Sequence, residues 1–151
     1  MNGKQHALIG AGIYLGVNYF LGFVPSTPAP LALGAGIAVL GAWLPDIDQN
    51  NSTIRQRTGT ARGQGPLGVF GWIGGILAAV LGGHRAVTHT ALACGLLAWA
   101  LLNFTPQNWR GYVIAFVIGY ISHLIADMLT EGGVPLFWPL SKKRIGLRRE
   151  A

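Results

Sequence analysis

The sequence predicts an all-α integral membrane protein with about four transmembrane helices and a further Gly-rich helical segment, 66–82, that is either re-entrant or interfacial. Three observations predict it. The 151 residues are 51% hydrophobic and only 11% charged, with a mean hydropathy of +0.44, a balance foreign to an ordinary soluble domain. Uncharged apolar runs at 7–24, 29–45, 66–82, 86–104 and 111–122 approach or reach the roughly 17–25 residues that cross a hydrocarbon core. The few acids and histidines gather at the edges of those runs. A single membrane-embedded helical domain, 1–151, with a short basic tail at 141–151, accounts for the whole chain.

The first run follows Lys4 and His6 and contains "GIYLG" (Gly12 to Gly16), where glycines permit close helix approach. It is long for the h-region of a signal peptide, so it is expected to stay in the chain. The second run ends at Pro45 in "LPDIDQN", where Asp46 and Asp48 can aim two carboxylates at a cation, although Asp after Pro is also ordinary turn chemistry. The glycines of the third run, 66–82, allow it to dip into the bilayer and return.

"HRAVTH" opens the fourth run. Its spacing predicts His84 just before a helix and His89 in the first turn, with Arg85 and Thr88 placed to bind an anion. The fifth run continues as "GYISHLIADMLTEGG", with His123, Asp127 and Glu131 at intervals of four. On a helix, residues four apart share a face, so His123 and Asp127 form a half-site of the kind used by Zn, Mn or Fe. A structural His–Asp pair has the same spacing, and "TEGG" is a helix stop that can detach Glu131 from the pattern.

The net charge of +6 arises from 11 basic and 5 acidic residues. Because the basic residues flank apolar runs, they read as topology signals and contacts to anionic lipid headgroups; no nucleic acid partner is expected. Trp43, Trp109, Tyr112 and Trp138 fit an interfacial belt or apolar packing. Cys94 is the sole cysteine, which rules out an intrachain disulfide and a thiolate cluster.

Depth and charge test whether one architecture gathers the polar groups. If 66–82 does not cross, His6, Asp46, His89 and Asp127 each lie about 22–28 Å from the far end of their own run, on one side of the bilayer. The same arrangement puts Lys4, Arg55, Arg57, Arg62, Arg85 and the five basic tail residues on that side and Arg110 alone on the other. The bias makes that side, with both termini, cytoplasmic. Buried there, ionisable groups must be paired or metal-bound. Four histidines and three aspartates can hold two divalent ions, or one ion with supporting partners, Zn foremost and Mn or Fe as alternatives.

The blocks "LPDID", "HRAVTHT" and "GYISHLIADMLTEGGVPLFWP" resemble the signature blocks of a family of membrane-bound metal-dependent hydrolases, which includes bacterial inner-membrane proteins controlled by the SOS repressor. The resemblance runs from His6 to about Trp138. It implies metal ligands at Asp46, Asp48, His84, His89, His123 and Asp127, with His6 joining them. Through a distant likeness to zinc-dependent phospholipases C and nucleases it also implies phosphoester hydrolysis. Gln49 and Asn50 depart from the usual "DIDHP", Ala86 from "HRG" and Thr90 from "THS".

The expected function is therefore metal-assisted hydrolysis of a phospholipid or polyprenyl phosphate at the cytoplasmic edge of a bacterial inner membrane. Asp48, Arg85 and Glu131 are the candidate catalytic groups, with Arg85 or Lys142 holding the anionic group. A metal-binding regulator without turnover and a metal transporter are the alternatives.

Overall fold

The computed structural model describes residues 2–48, 88–130 and 132–147, with the backbone alone at 47 and 48. Segment 66–82, His84, Arg85, Glu131 and the Asp48 side chain lie outside the described residues. The rest forms four α-helices: α1 (Gly3–Leu21), α2 (Pro28–Trp43), α3 (Ala91–Phe104) and α4 (Arg110–Met128). Two 3-10 turns, Leu44–Asp48 and Gln107–Trp109, extend α2 and precede α4.

Local chemistry sets the ends of these helices. Asn2 and Gln5 form a reciprocal capping box at the start of α1, and Gly22, at φ 62°, ends it with its N–H bonded to the Asn18 carbonyl. The buried Asn18 amide then grips both polar groups of the Val24 backbone, at 2.9 and 3.1 Å, which fixes the turn towards α2. The Thr90 hydroxyl accepts the Ala93 N–H and starts α3 at Ala91. That cap overturns one expectation: His89 stands ahead of the helix and not in its first turn.

Helix α4 stops at Met128, where the Leu129 N–H returns to Ile125 and the Thr130 hydroxyl and N–H both bond the Asp127 carbonyl. The helix that carries His123 and Asp127 therefore ends one residue after Asp127. Beyond it, Gly133, at φ 52°, turns the chain. An isolated antiparallel bridge joins Val134 to Ile145, and Leu147 donates to Met128, so the basic segment straps across the end of α4.

Helices α1, α2 and α4 pack closely because glycines stand where they cross. A Cβ on Gly41 would lie 2.0 Å from the Phe116 carbonyl oxygen, and one on Gly119 would lie 1.9 Å from that of Ala38. The backbones of α2 and α4 thus touch at two points, which only small residues allow. Tyr14 of α1 fills the space over Gly34. Helix α3 packs on α4 through Cys94, Leu97, Tyr120 and Leu124, so the lone cysteine is a packing residue.

Among the described residues, two segments are long and apolar enough to cross a membrane: Pro28–Asp46 and Gln107–Met128. Helix α3, at 14 residues, reaches about 21 Å, short of a hydrocarbon core of about 30 Å. Large apolar side chains such as Tyr19, Phe20, Leu96, Trp99 and Phe104 face outward, a surface suited to lipid.

Candidate metal centre

Five side chains from four parts of the chain meet at one end of the bundle: His6 from the first turns of α1, Asp46 from the 3-10 turn after α2, His89 from the turn before α3, and His123 and Asp127 from α4. The ends are drawn together by specific bonds. The Trp43 indole donates to the Gly3 carbonyl at 2.7 Å, joining the start of α1 to the end of α2. The Ala91 N–H donates to Leu136, holding the His89 turn against the strap that follows α4.

His123 Nε2 and His89 Nε2 are 3.2 Å apart. Asp46 Oδ1 lies 3.6 and 3.7 Å from them respectively for His89 and His123, and Asp127 Oδ2 lies 3.5 Å from each. Asp46, His89 and His123 form one group close enough to hold an ion, and Asp127 approaches both imidazoles beside it, so that the four side chains make a cage. A tetrahedral ion with bonds of about 2.0–2.1 Å to nitrogen and oxygen has edges of about 3.3–3.4 Å. The donor set fits a divalent ion of the zinc class.

The hydrogen-bonding partners support the same orientation of lone pairs. His123 Nδ1 lies 2.7 Å from the Ala42 carbonyl, an acceptor only, so Nδ1 carries the hydrogen and Nε2 presents its lone pair to the cage. His89 Nδ1 faces the Thr88 hydroxyl at 3.1 Å, and the Tyr120 hydroxyl donates to the Thr88 carbonyl. Burial lowers the proton affinity of His89, but the carboxylates of Asp127 and Asp46 outweigh it and leave its pKa above the ordinary histidine value.

His6 occupies a different place. Its Nε2 is 3.3 Å from the other Asp127 oxygen, Oδ1, and its ring stacks on His123 at 3.9 Å. His6, His123 and Asp127 form a second group close enough to hold an ion. Since His123 has one free nitrogen, it can serve one ion at a time. His6 meets Asp127 on the oxygen other than the one that faces His89 and His123.

The sequence model of the YdjM inner membrane protein family matches residues 1–150. The chain belongs to that family. It is 37% identical over 105 residues to the inner membrane protein YdjM of Escherichia coli (strain K12), covering 68% of this chain and 47% of that protein, and equally to YdjM of Shigella flexneri. It is 27% identical over 139 residues to the uncharacterized protein YvsG of Bacillus subtilis (strain 168), covering 92% of this chain and 74% of the relative. The chain spans about half the length of the YdjM proteins it matches. No solved structure matches.

In this YdjM-family chain, His6, Asp46, His89, His123 and Asp127 come together as the sequence pattern anticipates, while Asp48, His84, Arg85 and Glu131 lie outside the described residues. The Thr88 hydroxyl, which the sequence offers as an anion contact, faces His89. Lys142 is exposed on the strap. Tyr120 and the Ala42 carbonyl went unrecognised in the sequence. Tyr120 stands one helical turn before His123 and shares its face, which is a usable signal; a main-chain carbonyl leaves none.

Proposed function

We propose that this YdjM-family protein is a membrane-embedded metal-dependent hydrolase that cleaves a phosphoester in a lipid or similar amphiphile near the cytoplasmic face of the bacterial inner membrane. The observation that carries the proposal is the cage in which Asp46 and Asp127 each approach both His89 and His123, at imidazole–imidazole and imidazole–carboxylate separations of 3.2–3.7 Å. A bound divalent ion would supply there the Lewis acidity that activates water and polarises a phosphoryl oxygen.

The residues divide the remaining work. Ala42 and Thr88 orient the two rings, and His6 fixes the Asp127 carboxylate from its far oxygen. Asp46 is the most exposed of the described ligands, at 15% of its side chain against 6% for Asp127 and none for the histidines. Water and the substrate headgroup accordingly approach on the Asp46 side. Four membrane-embedded helices, with basic loops and both termini on that side, complete the architecture of the proposal.

Four protein donors around one ion also describe a closed site, which favours a second reading, a metal-binding regulator without turnover. One experiment separates the two. Purified protein is analysed for bound metal and for phosphate or headgroup release from a panel of lipid phosphoesters, beside Asp127→Ala. Metal with turnover, both lost in the variant, supports hydrolysis; metal without turnover across the panel supports regulation.

A further inference from the structure

Between α2, α3 and α4 runs an apolar crevice of about 550 Å³, within the range of about 300–1,000 Å³ usual for small-molecule sites. Its walls include Leu44, Leu97, Leu101, Trp109, Val113 and Phe116. Both membrane-spanning candidates contribute, Pro28–Asp46 through Leu44 and Gln107–Met128 through Trp109, Val113 and Phe116. With those two segments spanning the bilayer, the crevice lies at hydrocarbon depth. Among the described residues, α3 packs on α4 and leaves the side towards α2 open.

The position of the crevice relative to the cage identifies its occupant. On α4 the wall residues Val113 and Phe116 occupy one helical face, and the same face continues through Tyr120 to His123 and Asp127. Leu44 belongs to the wall and stands two residues before Asp46 in the same 3-10 turn. The interval from Phe116 to His123 is seven residues, or about 10 Å along the helix, a distance covered by the glycerol backbone and first methylenes of a lipid. The remainder of its chain then fits the apolar walls.

We propose that this crevice seats one hydrocarbon chain of a lipid phosphate whose headgroup lies at the His89–His123–Asp46–Asp127 cage. The proposal rests on the hydrolase reading for the role of the headgroup and adds the class of substrate: a long-chain phosphoester held by its tail, with water-soluble phosphoesters excluded. Apolar burial of the chain supplies binding energy remote from the reacting bond.

The test uses full-length protein in nanodiscs and a lysophosphatidic acid carrying a diazirine at mid-chain, with crosslinks mapped by mass spectrometry. Labelling is expected to concentrate on Leu97–Phe116 and to fall about tenfold in Leu101→Trp, which fills the crevice, and in Val113→Trp as an independent filler. Labelling is expected to persist in His89→Ala, because the crevice walls and not the metal hold the chain, so a failed hydrolase reading leaves this result intact. Labelling spread evenly over the outward faces of all the helices, and unchanged by both filling variants, would overturn the proposal. Wild-type circular dichroism in both variants certifies that the loss is local.

Discussion

The His123 ring is held from behind by the carbonyl of Ala42, 2.7 Å from Nδ1. Ala42 lies in the last turn of α2, where main-chain carbonyls run out of helical partners. The carbonyl reaches α4 because Gly41 and Gly119 let the two backbones touch. A helix end that would otherwise need water thus fixes the tautomer of a candidate ligand.

Gly119→Ala tests that chain of causes. The added methyl would meet the Ala38 carbonyl, so α2 and α4 must separate at a cost of about 1–3 kcal/mol. A lower thermal midpoint in detergent, together with reduced metal content, is the expected outcome. Gly12→Ala, which meets nothing, serves as the neutral control.

Removal of the cage residues should act in two grades. Asp46→Ala, His89→Ala, His123→Ala and Asp127→Ala each remove a donor, and each should abolish stoichiometric metal by elemental analysis. His6→Ala removes a partner of Asp127 and should retain the metal with affinity lowered about 10–100-fold. Complete loss in His6→Ala would make His6 a direct ligand.

Acid and metal should compete at His89. Its pKa is raised in the metal-free fold by Asp127 and Asp46 after burial is overcome, so the protonated ring stabilises that fold fully below the ordinary histidine value of about 6.5. This contribution is lost as pH rises through the raised value. Metal requires the neutral ring, so the metal-loaded protein should behave oppositely, losing affinity as pH falls. Thermal midpoints with and without chelator, measured across this range, should converge at the acid end.

Tyr120→Phe deletes the hydroxyl that donates to the Thr88 carbonyl. The loss should cost about 1 kcal/mol and loosen the turn that carries His89. Metal titration should show weaker binding with unchanged stoichiometry; unchanged affinity would show that the turn is held by other contacts.

The apolar runs, the stop at Pro45 and the i, i+4 pairing of His123 with Asp127 were all legible in the sequence, because periodicity and hydropathy report what a helix buries along its own axis. So was the gathering of polar groups at run edges, since a bilayer penalises them elsewhere. Helix ends were less legible. The start of α3 at Ala91 turns on a single hydroxyl of Thr90, and the end of α4 at Met128 on Thr130.

The sequence by itself determined that this protein is helical, apolar and able to bring imidazoles and carboxylates to a common level, because those properties follow from residue type and spacing. Only the tertiary structure decided which oxygen of Asp127 faces His6 and which faces the cage, and that Ala42 supports His123. Those choices depend on how two helices cross, and the crossing depends on contacts between residues about 80 positions apart, beyond the reach of any local pattern.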